Sequence, residues 1–201
     1  MSKLADLAAQ RFGMDTNVAE VEEGPGRETL AALLSHRTHR RFLDDPVAED
    51  TMNLLYACAL SAPAKSDLQQ IAIIRVQDPG KRRAIADLMP EMGWIGTCPV
   101  FLLFCGDSRR IRKLCQLREH EFANDHLDAF MNAAVDTALV MQNFITAAEA
   151  AGLGCCPISV VRNHIDRIAD ITSLPEFVFP VAGMCLGHPA HAGFTSTRLP
   201  P

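Results

Sequence analysis

Residues 128–151 form the longest apolar stretch of the sequence, DAFMNAAVDTALVMQNFITAAEAA. Its polar positions Asn132, Asp136 and Asn143 form only a thin stripe, and Gly152 follows as a plausible left-handed cap. A helix that is apolar almost all round has to be buried on nearly every side. Because the chain has only 201 residues, we expect a second subunit to cover one side of this helix.

The other segments alternate irregularly between strand and helix. Strands are predicted at residues 71–76, 99–105 and 178–186, and the second, PVFLLFC, should be central because both of its faces are apolar. Helices are predicted at residues 28–35, 49–60, 81–88 and 163–172. The helix at 49–60 is expected to bury Met52, Leu54, Leu55 and Tyr56. Since regular βαβ alternation is missing, the fold class is α+β.

We expect a single domain at residues 27–201, preceded by a short N-terminal helix and a mobile arm at residues 1–26. The net charge of −5 argues against a nucleic-acid partner. No apolar run reaches the roughly 20 residues of a membrane span, and the start MSKLADLAAQRF lacks the apolar core of a secretory signal. A cytoplasmic protein is therefore expected. The seven cysteines show no CxxC pair and no zinc spacing, so no metal site is expected.

The heptad HRTHRRF at residues 36–42 concentrates positive charge in this acidic chain. Its basic or potentially basic residues are His36, Arg37, His39, Arg40 and Arg41. One interpretation is a solvated helix end, where cations are favourable. The other is a phosphate site, because guanidinium groups offer paired donors to phosphate, Thr38 adds a hydroxyl and Phe42 would anchor the segment. No glycine-rich phosphate loop occurs elsewhere.

The heptad resembles the HRS-x-R-x-F signature of the flavin-dependent nitroreductase superfamily, in particular its nitroreductase A and flavin reductase P branch. Further segments resemble that family in the same order: LQQIAIIRVQDPGKR, FLLFCGDSRR, VDTALVMQNFITAAEAAGLGCCPISVVRN, LPEFVFPVAGMCLGHPA and TRLPP. The resemblance covers roughly residues 33–200. It implies a nitroreductase-like fold, with a central mixed or antiparallel sheet flanked by helices and the long buried helix at a homodimer interface.

The resemblance also implies FMN bound at the subunit interface by residues of both chains. The matching positions are His36, Arg37, Thr38, Arg40, Ala64, Lys65, Ser66, Pro157, Ile158, Ser159, Val160, Ser196 and Arg198. His36, Arg37 and Thr38 would face phosphate and ribityl oxygens. Arg40 would lie near the pyrimidine edge, where a cation stabilises the charge of the reduced flavin. No catalytic side chain is expected, because the flavin carries the chemistry.

The implied activity is the reduction of a small-molecule acceptor, a nitroaromatic, a quinone or a flavin, with NAD(P)H as co-substrate and hydride transfer through flavin N5. Two departures favour an alternative, a non-catalytic protein that binds flavin or another phosphate ligand on the same fold. Ser196 stands where the family has a lysine, and Ser159-Val160 replaces a Gly-Gly pair that lets the backbone approach the ring.

Overall fold

A four-stranded antiparallel sheet forms the centre of the computed structural model, which describes residues 3–201. Its strands are β1 (Ile71–Arg75), β2 (Val100–Asp107), β3 (Gly154–Ile158) and β4 (Val178–Gly187), in the order β1-β2-β4-β3. The apolar stretch predicted to be central is β2, which is buried on both faces from Val100 to Gly106. The α+β prediction is confirmed, and the two edge strands are β1 and β3.

The helices surround this sheet. They are α1 (Leu4–Phe12), α2 (Pro25–Leu34), α3 (Glu49–Leu60), α4 (Pro79–Asp87), α5 (Trp94–Thr97), α6 (Arg109–Leu117), α7 (Leu127–Ala150) and α8 (Ile165–Thr172), with 3₁₀ turns at Lys65–Asp67 and Ser159–His164. The helix predicted from residue 28 begins earlier, at Pro25, because proline fits the first turn, where its missing N–H has no partner to lose. Residues 14–23 and 188–201 contain no helix or strand.

Two apolar layers hold the sheet between helices. On one face, α3 and α7 contribute Met52, Leu55 and Phe144 to a core that also contains Leu102 and Phe104 of β2. The rings of Phe104 and Phe144 meet edge to face, with centroids 5.5 Å apart. On the other face, side chains of α4, α5 and α8 pack against the opposite side of β2. Each fully buried large side chain stabilises the fold by about 1.5–3 kcal/mol.

The prediction for α7 is confirmed in extent, but only part of its surface is covered. Its inner side packs against β2 and α3. Large apolar side chains remain exposed along its outer side, and we call them the outer face of α7: Leu127, Phe130, Met131, Val135 and Leu139. The exposed side of this helix is therefore apolar, whereas the polar residue Asp136 is buried, with only 1% of its surface exposed.

The prediction that Leu54 is buried is wrong, because its side chain is 58% exposed. Met52, Leu55 and Ala59 of α3 are buried, a spacing that follows one side of a helix, and Tyr56 is half-buried against the same core. Within residues 3–201, no helix combines the length and the apolarity needed to cross a membrane.

Candidate functional site

The heptad lies along the β3 edge of the sheet. Thr38 forms a parallel bridge with Cys155, and the His39 N–H donates to the Cys155 carbonyl oxygen at 2.8 Å. Phe42 pairs with Pro189 of the C-terminal tail. The structure therefore anchors the heptad to the edge strand on one side and to the tail on the other.

Four basic residues gather around one carboxylate at the beginning of the heptad, and we call this group the basic cluster: Arg11, His36, Arg37 and Arg198, with Glu149 of α7. Glu149 Oε1 lies 2.6 Å from His36 Nδ1 and accepts from the Arg37 N–H at 3.4 Å. Arg11, His36, Glu149 and Arg198 line a cavity of ≈ 320 Å³. The tail thus brings Arg198 to the start of the heptad.

The charges of this cluster do not balance. Three guanidinium groups lie near one carboxylate, which leaves two positive charges without a carboxylate partner inside the cluster. Burial lowers the pKa of Arg11, and the charge of Arg198 lowers it further. The Arg37 Nε is buried and finds no hydrogen-bond partner among the described residues. These features suit a multiply charged anion such as a phosphate group.

Arg40 lies further along the same edge. Its guanidinium carbon is 5.8 Å from the centre of the Trp94 ring, and the side chain is otherwise exposed. Its charge partly offsets the effect of burial, which raises the pKa of Cys156 on β3. Arg40 is therefore a cation held on an aromatic face beside the β3 strand.

The four residues at the β3 exit differ in exposure. Pro157 and Ile158 end the strand, and Ser159 and Val160 begin the following 3₁₀ turn. Val160 packs partly into the core beneath the sheet, whereas Ser159 is exposed. The exit therefore offers one exposed hydroxyl next to the partly buried side chain of Val160.

The predicted loop residues Ala64, Lys65 and Ser66 lie elsewhere, before β1. Asp136 of α7 holds this loop: its Oδ1 accepts from the Lys65 N–H at 2.9 Å, and its Oδ2 accepts from the Gln70 N–H at 3.0 Å. Ser66 has a φ of 53°, a conformation that non-glycine residues seldom adopt. The buried carboxylate stabilises this unusual backbone because both of its oxygens are hydrogen-bonded.

A single chain does not bring all thirteen predicted positions together. The loop is tied to Asp136 and the heptad to Glu149, which lie thirteen residues apart on α7 (149 − 136 = 13). At 1.5 Å per residue, that separation is about 20 Å along the helix axis. Ala64, Lys65 and Ser66 therefore stand apart from the other ten.

Sequence reasoning missed three residues that organise these groups: Arg11, Asp136 and Glu149. Glu149 did carry a signal, because it is the one charged residue between 137 and 151 of the apolar helix. Asp136 carried a similar signal that was interpreted as part of a polar stripe. Arg11 carried none, since a short N-terminal helix with one arginine is ordinary.

Comparison with known proteins matches residues 33–188 to the nitroreductase family. The chain is 35% identical over 176 residues to a Bacillus subtilis protein named FMN reductase [NAD(P)H]. It is 34% identical over 172 residues to the oxygen-insensitive NADPH nitroreductase of Salmonella typhimurium. Both alignments cover 86% of this chain and 70% of the relative. The structure of B. megaterium NfrA2 superposes with a TM-score of 0.83 and 32% identity, covering 86% of this chain and 71% of that one.

Proposed function

The chain belongs to the nitroreductase family, and we propose from this premise that it is an FMN-dependent oxidoreductase that uses NAD(P)H to reduce small nitroaromatic, quinone or flavin acceptors. One observation carries the proposal: the basic cluster, with its uncompensated charge and the unpaired Nε of Arg37, occurs where the resemblance expects the FMN phosphate. Relatives named FMN reductase and NADPH nitroreductase support the same activity.

The residues of the β3 edge fit the parts of FMN in order. Arg37 and Arg198 offer cationic donors to the phosphate, His36 offers a ring nitrogen, and Thr38 offers a hydroxyl to the ribityl chain. Pro157, Ile158, Ser159 and Val160 offer a surface for the ring. When bound, FMN supplies hydride transfer at N5. The chain's own task is to bind it, orient it and balance its charge, and Arg40 would stabilise the negative charge that the reduced ring carries near N1 and O2.

We propose that two copies of the chain complete each site. Ala64, Lys65 and Ser66 are too far from the heptad of their own chain to share one flavin with it, at about 20 Å along α7. The outer face of α7 lies uncovered from Leu127 to Leu139, a stretch that runs past Asp136 toward Glu149, with Phe130 51% and Val135 47% exposed. A two-fold axis that crosses α7 between Asp136 and Glu149 would place the loop of one subunit beside the heptad of its partner.

The non-catalytic alternative is not favoured, because relatives that share these segments are named as reductases. Ser196 and Ser159-Val160 then affect how tightly FMN is held rather than whether the protein reacts. We also propose a cytoplasmic location, because Cys155, Cys156 and the other cysteines are free thiols, as in a reducing compartment.

Anaerobic titration tests the proposed function. The purified protein is saturated with FMN, freed of excess by gel filtration and mixed with NADH or NADPH. The bound flavin should lose its visible absorbance and regain it when a quinone is added. Failure to bind FMN saturably, or bound FMN that neither nucleotide reduces, would contradict the proposal.

A further inference from the structure

The N-terminal helix α1 precedes the part of the chain that matches the family, which begins at residue 33. Its residue Arg11 is only 5% exposed. The guanidinium donates to the carbonyl oxygens of Leu34 at 3.0 Å and Ser196 at 2.7 Å, and also to that of His36. One side chain therefore connects the residues that lead into the heptad with the tail.

The backbone of the same residue makes a second connection to the tail. The Arg198 N–H donates to the Arg11 carbonyl oxygen at 2.8 Å. Gly13 ends α1 with a φ of 69°, and a Cβ there would lie 3.0 Å from Thr197 Cγ2. Residues 196–198 are thus held against α1 by side chain, backbone and close packing together.

This arrangement is electrostatically unfavourable when no anion is present. A guanidinium that is nearly buried beside Arg37 and Arg198 loses hydration and is repelled by both. Glu149 is the single carboxylate that opposes this repulsion within the cluster. Excess buried positive charge is tolerated where an anion binds and neutralises it. A phosphate group is an anion that would neutralise the charge of this cluster.

We propose that α1 belongs to the flavin site, where Arg11 is a positioning residue that fixes His36 and Arg198 for the FMN phosphate and adds the positive charge that Ser196 lacks in place of the family's lysine. The inference rests on the proposed function, because it concerns how FMN is held. Its consequence is a preference for FMN over riboflavin, which has the same ring and ribityl chain without the phosphate.

The test compares the affinities of both ligands for Arg11→Ala, Arg11→Lys and the control Arg83→Ala. Arg83 lies on α4 with a side chain that is 83% exposed, so its loss removes a charge outside the cluster. Arg11→Ala should weaken FMN binding about tenfold or more, because it removes a positive charge near the phosphate and the contacts that position His36 and the tail, with riboflavin changed less than about twofold. Arg11→Lys should weaken FMN to an intermediate degree, because it keeps the charge but not the three carbonyl contacts.

An unchanged FMN-to-riboflavin preference in Arg11→Ala would overturn the inference while leaving the proposed function intact. Failure of the unmodified protein to bind FMN would contradict the proposed function instead. Hydrogen exchange of the unmodified protein gives a second measurement that needs no variant. At equal saturation, FMN should slow exchange of residues 4–12 more than riboflavin does. Equal protection by the two ligands would overturn the inference.

Discussion

His36 Nδ1 lies 2.6 Å from Glu149 Oε1, so the carboxylate of the basic cluster faces the first residue of the heptad. Both side chains are mostly covered, with 27% and 20% of their surfaces exposed. Glu149 orients His36, but its negative charge also opposes a bound phosphate. The two effects act in opposite directions on FMN affinity, and a charge-neutral variant separates them.

Glu149→Gln should tighten FMN binding by a few-fold and leave riboflavin nearly unchanged. Glutamine keeps an oxygen acceptor near His36 but removes a like charge from the neighbourhood of the phosphate. Titrations at low and high salt measure the effect, which should shrink as salt screens it. Glu91→Gln, at an exposed position between α4 and α5, is the control. Weaker FMN binding would mean that orientation of His36 outweighs the charge.

Arg40→Ala should make bound FMN harder to reduce. Loss of a cation near N1 and O2 destabilises the reduced flavin by about 1–2 kcal/mol, which lowers a two-electron midpoint potential by roughly 20–45 mV. A spectroscopic redox titration against a reference dye measures this shift. Arg41→Ala removes the neighbouring exposed arginine and should leave the potential unchanged. If Arg40→Ala binds FMN with an unaltered potential, Arg40 does not lie at the pyrimidine edge.

Val135→Glu should convert a dimer into a folded monomer. Val135 is 47% exposed on the outer face of α7, so a glutamate there remains hydrated in the single chain. In a dimer the same charge would be buried without a partner, which costs several kcal/mol. Light scattering on a sizing column gives the mass, and circular dichroism reports whether the fold is kept. Unmodified protein that elutes as a monomer at micromolar concentration would contradict the proposed interface.

Asp136→Asn should lower the free energy of unfolding by about 2–3 kcal/mol, because an amide can accept only one of the two backbone hydrogen bonds and leaves a buried donor unpaired. Urea denaturation measures the change. Asp128→Asn is the matched control on the same helix. The Asp128 carboxylate is exposed and accepts from the side chains of Asn124 and Asn132, so its loss should lower the stability much less than Asp136→Asn does. Equal stability of the two variants would show that the carboxylate does not hold the loop.

Sequence patterns predicted the elements of the fold well where the signal was continuous. The run at residues 128–151 and the apolar stretch of β2 each lie in one segment, so α7 and the central strand were expected within about two residues of their observed bounds. Leu54 was predicted to be buried because it is apolar and adjacent to Leu55, which is buried. In a helix of only a few turns, the pattern of apolar residues does not distinguish the two.

The candidate site was harder to predict because its contacts join distant parts of the chain. Asp136 bonds residues that precede it by 71 and 66 positions, and periodicity cannot show that such a carboxylate is satisfied inside the core. Arg11 is a stronger case, since its partner Ser196 is 185 positions away. The resemblance to the family identified the heptad and the tail as parts of the site. It did not identify α1, which lies before the matched segment.

The contact between Arg11 and the tail also has a consequence for the order of chain synthesis and FMN binding. Synthesis proceeds from the N-terminus to the C-terminus, so Arg11 is made 185 residues before Ser196. During that interval the Arg11 guanidinium lacks its tail carbonyl, and the nascent chain lacks Arg198. In the proposed site, firm capture of the FMN phosphate would therefore have to follow translation of residue 198, after the heptad and α7 have already been made.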